Sequence, residues 1–113
     1  MLTEDLKTAV IDISSSGDNE IIEEQGAGSY IAIDHINFIV TTAVGVKFVS
    51  SGQSGDTDLS GVYPFDTKQA MALDNAMNAE KGVIICKENE SFLINLDGAV
   101  QVSGFIRYRI INN

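Results

Sequence analysis

A single antiparallel β-sandwich is the fold the sequence predicts, and three observations predict it. Apolar and polar residues alternate at period two through most of the chain, where a helix would repeat every 3.6. Clusters of Ser, Gly, Asp and Asn interrupt that alternation at short spacing. The 113 residues carry 44% hydrophobic side chains, enough for one core and one domain. The expectation is an all-β chain with about eight strands, jelly-roll-like, spanning residues 1–113.

Each element follows from its residues. In residues 8–13, Ala9, Ile11 and Ile13 share one face. Ser14-Ser15-Ser16-Gly17-Asp18-Asn19 reads as a turn. Ile21 and Ile22 follow among Glu20, Glu23 and Glu24, a short edge strand whose charges discourage pairing with other edges. Residues 1–27 therefore read as an N-terminal arm plus an edge strand. Residues 29–42 are the strongest strand. Ile31 and Ile33 set one phase, and Ile36, Phe38 and Val40 set the opposite one. A change of phase within one run predicts a bulge, a bend or a strand that passes between sheets, at His35.

Residues 44–49 form the next strand, with Val44, Val46 and Phe48 on one side and Lys47 on the other. Residues 50–56 read as an extended turn or exposed loop. Pro64, the only proline, cannot donate to a ladder, so residues 59–65 are an edge or a connection. Residues 66–80 are ambiguous. Asp66-Thr67-Lys68-Gln69 has the form of a helix capping box, and Ala70, Leu73 and Met77 share a helical face. Met71 and Leu73 also alternate with Ala70, Ala72 and Asp74, as in a strand. Residues 75–81 read as a turn or one helical turn. The last third is β: residues 83–87, then Phe92, Ile94 and Leu96, an Asp97-Gly98 turn, and residues 99–111. In that final strand Val100, Val102, Gly104, Ile106, Tyr108 and Ile110 face one way. Gln101, Ser103, Phe105, Arg107 and Arg109 face the other.

Charge and motifs narrow the function. Seven bases against 16 acids give a net charge of −9 and a pI near 4.2. Such a chain is repelled by nucleic acid and anionic lipid. No stretch approaches the ~20 apolar residues of a membrane helix, and no basic start leads into an apolar run, so neither a span nor a signal peptide is expected. Within residues 1–34, Glu4, Asp5, Asp12, Asp18, Glu20, Glu23, Glu24 and Asp34 face a single base, Lys7. This is a solubilising edge or a surface for a basic protein partner.

Catalytic and metal chemistry find little support. Cys86 is the one cysteine, so no internal disulfide forms, and its apolar run reads as core. A nucleophile there would need His35, the one histidine, as base. Ser54-Gly55-Asp56-Thr57-Asp58 begins like a calcium loop but lacks the later acidic ligands, and a turn is the better reading. Gly26-Ala27-Gly28 precedes a strand instead of opening a helix, the wrong context for a phosphate or dinucleotide loop. The expectation is a chain that is not an enzyme, with no cofactor, no metal and no catalytic residues. Ile39, Val49, Phe105 and Ile111 fall on inferred outer faces, and an apolar outer face predicts oligomerisation.

Three segments carry a family resemblance: Val46-Lys47-Phe48-Val49-Ser50-Ser51-Gly52, Leu59-Ser60-Gly61-Val62-Tyr63-Pro64, and Phe92 to Ile111 through Leu96-Asp97-Gly98-Ala99-Val100-Gln101-Val102-Ser103-Gly104. Together they resemble small virion proteins of tailed bacteriophages, of the capsid-decoration or head-fibre kind. The likeness covers residues 28–112 and rests on strand ends and turns; residues 1–27 and the polar stretch 75–81 lie outside it. It implies a viral structural protein that binds the assembled head as a homo-oligomer, commonly a homotrimer. The implied partner is the major capsid protein or another virion protein, and the implied location is the virion, after synthesis in the host cytoplasm. Because such proteins are mostly extended, it also favours a strand at residues 70–73 over the helix. The alternative is a carbohydrate- or receptor-binding sandwich module of a tail or fibre, with Tyr30, Tyr63 or Tyr108 as its stacking platform.

Overall fold

The computed structural model of the chain describes residues 6–75 and 82–112. Two five-stranded antiparallel sheets pack face to face. The first runs β1 (Lys7–Ile13), β10 (Val102–Asn112), β3 (Ser29–Val40), β7 (Ala70–Asp74), with the short β8 (Ile84–Ile85) also on β3. The second runs β2 (Gly17–Ile22), β9 (Ser91–Leu96), β4 (Val44–Gly52), β5 (Gly55–Asp58), with β6 (Tyr63–Phe65) also on β4. The chain changes sheet between β1 and β2, β2 and β3, β3 and β4, β6 and β7, β8 and β9, and β9 and β10, and the first strand lies beside the last. The core between the sheets is filled by Ile11, Ile31, Ile33, Ile36 and Ile106 from the first sheet and Phe48, Phe92, Ile94 and Leu96 from the second. Phe48 meets Phe38 edge-on at 6.2 Å and Phe92 at 5.8 Å, the offset geometries that aromatic pairs prefer.

The described residues contain ten strands, more than the expected eight, because two polar or broken stretches pair after all. Residues 50–56 are not a loop: β4 continues to Gly52 and folds through Gln53-Ser54 into β5. Their polar side chains find partners within the fold. Ser51 donates to Asp56 across the hairpin, and buried Ser50 donates to Glu90 at 2.7 Å. The segment 14–19 is likewise only half a turn. Gly17 adopts φ +92°, Asn19 caps the turn by donating to Ser15 C=O at 2.8 Å, and β2 begins at once. Conversely, the strand expected at 83–87 keeps only Ile84–Ile85, and the last strand begins at Val102 instead of residue 99.

The phase change in β3 is a bulge, one residue from its expected place. Arg107 pairs with His35 and Tyr108 with Ile33, so Asp34 is the extra residue. Residues 70–74 form a strand. The capping-box motif before it is a β-turn: Gln69 N–H donates to Asp66 C=O at 3.1 Å, and the Gln69 amide oxygen accepts from Asp66 N–H at 2.8 Å. Lys68 takes φ +60° at the third position, which closes the turn and stops a helix from starting. Of the stretch 75–81, residues 76–81 lie outside the described residues.

Candidate interaction face

Pairing across the first sheet arranges its outer face in rows. Asp12, Ser103, Ile39 and Ala70 lie side by side on β1, β10, β3 and β7. The next row is Val10, Phe105, Asn37 and Ala72, and the third is Thr8, Arg107, His35 and Asp74. A strand of period two delivers these residues outward only because Asp34 is inserted. The bulge lets Ile33 and Ile36 both point into the core and turns His35 to the surface.

His35 is held on every side. Asn37 Nδ2 donates to its Nε2 at 2.8 Å, which leaves the ring proton on Nδ1 to donate to Asp74 Oδ1 at 3.0 Å. The ring stacks on Phe105 with centroids 5.3 Å apart, and the Arg107 guanidinium lies 5.8 Å from the Phe105 centroid. Beside them, bulged Asp34 accepts from Asn75 at 2.8 Å and faces Arg109 at 3.5 Å. Leu6, Asp34, His35, Asp74, Phe105 and Arg107 line a depression of about 210 Å³. Across the face from it, a groove of about 390 Å³ runs along Asn37, Ile39, Ala70 and Ala72 to Ser103.

Exposed apolar side chains surround this constellation. Val10 is 72% exposed and Ile39 44% exposed, and Ile85 projects from β8. The outer face of the second sheet is different in kind. There Asn95 donates to Asp18, Ser91 donates to Glu20, and Lys47 pairs with Asp58 at 3.3 Å. Of the four residues expected on outer faces, only Val49 belongs to this second sheet. Ile39 is exposed and Phe105 and Ile111 are half-buried, but Val49 is only 2% exposed. It sits on β4 between Leu93 of β9 and Asp58 of β5, so neighbours on both sides cover it. Alternation tells which face a residue takes; it does not tell how central its strand is.

Cys86 and His35 are kept apart by the first sheet. Cys86 lies in the core, with its thiol hydrogen-bonded to Ser50, whereas His35 lies on the outer face. Burial pushes the thiol up from 9.0 to about 12, with the Ser50 hydrogen bond pulling the other way and Glu90 adding to the rise. A thiol so placed stays protonated at neutral pH and makes a poor nucleophile. In the calcium-like segment, Asp56 and Asp58 belong to β5 and are engaged by Ser51 and Lys47. Among the described residues, no three His, Cys, Asp or Glu side chains stand close enough to share a metal ion. Gly26 and Gly28 make a turn, not a phosphate cradle; their N–H groups donate to Asn89 Oδ1 at 3.1 Å and to Glu88 at 2.6 Å. Asp97 does more than turn the chain. Its carboxylate accepts from Gly45 N–H at 2.7 Å and fills the space that a side chain at Gly45 would need.

Sequence reasoning placed His35 at the irregularity and put Phe105 and Arg107 on one face. It missed Val10, Asn37 and Asp74, which join them only through pairing between distant strands. Comparison of the chain with protein-family models, with curated proteins and with solved structures found no match.

Proposed function

We propose that the chain is a non-enzymatic structural protein that docks onto a protein lattice through the outer face of its β1–β10–β3–β7 sheet, as capsid decoration proteins do. One observation carries the reading: the two outer faces are unlike. One carries mostly polar side chains paired to each other, with Val62 beside Gly45 as its exposed apolar residue; the other offers exposed Val10 and Ile39 around an aromatic and cationic centre. Exposed apolar patches rimmed by polar groups mark interaction sites, and an aromatic–Arg pair is a common anchor within them. A protein that binds only the assembled lattice stabilises it by mass action.

The phage assignment rests on the segments described above. It makes the major capsid protein or another virion protein the partner, the virion the location, and a homo-oligomer the binding form, with the trimer as the state the resemblance implies. The net charge of −9 favours a basic partner surface over nucleic acid or membrane. The reading also takes the jelly-roll course from the strand order, with β1 beside β10 and β2 beside β9. Antibody to the chain, applied to gradient-purified virus particles, tests it. Stoichiometric detection in intact particles is expected, and absence from them would overturn it.

A second reading has one observation in its favour. Tyr63 is 39% exposed and borders, with Pro64 and Gln69, a groove of about 410 Å³ that could seat a sugar ring. Tyr108 packs against the core instead, and Tyr30 is half-buried. Binding on a glycan array that is lost in Tyr63→Ala would favour this carbohydrate-binding module over decoration.

A further inference from the structure

Taking a carboxylate out of water is costly unless an opposite charge or several hydrogen bonds replace the solvation it loses. Glu90 is the one buried Asp, Glu, Lys or Arg among the described residues, at 7% exposed. Its Oε1 accepts from the Ser50 hydroxyl at 2.7 Å, a neutral donor whose oxygen already takes the Lys87 N–H at 3.2 Å. Its Oε2 has no hydrogen bond among the described residues, and none of their Lys, Arg or His side chains pairs with it. That oxygen is not sealed in the core either. Glu90 borders a pocket of about 150 Å³, whose other walls are Gln53, Ser54, Glu88 and Asn89.

Two segments build this pocket. Gln53 and Ser54 are the tip of the β4–β5 hairpin, and residues 88–90 lead into β9. Pairing of Ser51 with Ser91 sets them side by side. The second segment is fixed by its backbone: Asn89 adopts φ 54°, and its N–H donates to Ser29 C=O at 2.8 Å. Gly28 N–H holds Glu88 by Oε2 at 2.6 Å, which leaves Oε1 free. Gly52 makes the room for Glu90. A Cβ there would lie 2.6 Å from Glu90 Cγ and 3.1 Å from Oε2. The side chains of Gln53 and Ser54 make no hydrogen bond among the described residues. Every lining residue carries a side-chain oxygen, and none carries sulfur or imidazole.

We propose that this pocket binds a calcium ion, held by Glu90 Oε2 and Glu88 with the side-chain oxygens of Gln53 and Ser54. The ion supplies the positive charge that buried Glu90 lacks. An all-oxygen set selects a hard cation over zinc or copper. A set drawn from a hairpin tip and a turn suits calcium, which tolerates irregular shells of six to eight oxygens; magnesium demands a near-ideal octahedron. Asp56 and Asp58 of the calcium-like run take no part, being engaged by Ser51 and Lys47. With two carboxylates the site belongs to the weak class, with a dissociation constant of about 10⁻⁴–10⁻³ M. The site does not depend on the virion reading.

Calorimetric titration of calcium chloride into the whole chain, stripped with a chelator and held in about 0.1 M salt to screen its net charge, tests the proposal. One ion per chain is expected. Glu90→Gln, which keeps an acceptor for Ser50, and Glu88→Gln should each weaken binding by about tenfold or more. Asp58→Asn, outside the pocket, should bind as wild type does. Calcium should also raise the melting temperature of wild type and leave that of Glu90→Gln unmoved. If Glu90→Gln fails to fold by circular dichroism, Glu88→Gln, at the exposed side of the pocket, decides. No saturable binding up to about 10 mM calcium, equal binding by wild type and Glu88→Gln, an equal loss in Asp58→Asn, or magnesium bound as tightly as calcium would overturn the proposal.

Discussion

At Cys86 and Gly104 the fold leaves single residues little freedom, and both make predictions. The Cys86 thiol is raised from 9.0 to about 12 by burial. The unfolded chain therefore loses this proton first as pH rises. Stability from this group is complete below pH 9 and is lost as pH climbs from 9 toward 12. In Cys86→Ala that part of the alkaline decline should be missing, as read by urea unfolding at several pH values. Native protein at pH 8 should react with iodoacetamide only at the rate at which it unfolds. Gly104 of β10 pairs with Phe38 of β3, and a methyl group there would collide with Asn37 C=O and with Phe38 Cα, which are backbone and cannot move aside. Gly104→Ala should cost about 3 kcal/mol by urea unfolding, whereas Gly61→Ala, with open space around it, should be nearly neutral. A small loss at Gly104 would mean that the two strands separate more easily than the packing indicates.

Among the elements, β3 shows how one residue sets the surface. Ile33 pairs with Tyr108 and His35 with Arg107, so Asp34 alone separates two strand halves that would otherwise be in phase. Deleting Asp34 should leave a regular ladder and a folded chain, weakened by about 1–2 kcal/mol through the lost contacts to Arg109 and Asn75. Deleting Asn37 should instead push Phe38 and Val40 out of the core and abolish cooperative unfolding. Circular dichroism with urea titration distinguishes the two. Much of this was legible in the sequence, since the phase break at His35 announced an irregularity and the alternation of residues 102–110 announced a long two-faced strand. The turn at Asp66–Gln69 was not, because a capping box and a tight β-turn share the same reciprocal bond between Gln side chain and Asp backbone. The β4–β5 hairpin was hidden for another reason. Its serines and aspartates look like loop, and only their partners across the hairpin and in Glu90 make them strand.

For the whole molecule, the central feature is the difference between its two outer faces. The sequence placed Val49 with Ile39 on exposed surface, but lateral cover from β9 and β5 buries Val49 while Ile39 stays open. Val10, Asn37 and Asp74 reach the His35–Phe105 centre through strand pairings that span much of the chain, which period-two reading of single strands does not supply. The acidic first third is divided between the sheets, with Asp12 accepting from Gln101 and Glu20 from Ser91, so part of its charge is spent holding β1 and β2 in place. The measurement that bears most directly on the proposed docking through this face is cosedimentation of the chain with purified phage heads. It would compare wild type, a Val10→Lys/Ile39→Lys variant of one face and a Lys47→Glu variant of the other. The proposed docking predicts binding by wild type and Lys47→Glu alike and at least a tenfold loss for the double variant, about 1.4 kcal/mol or more. No binding by wild type, or equal binding by all three, would contradict it.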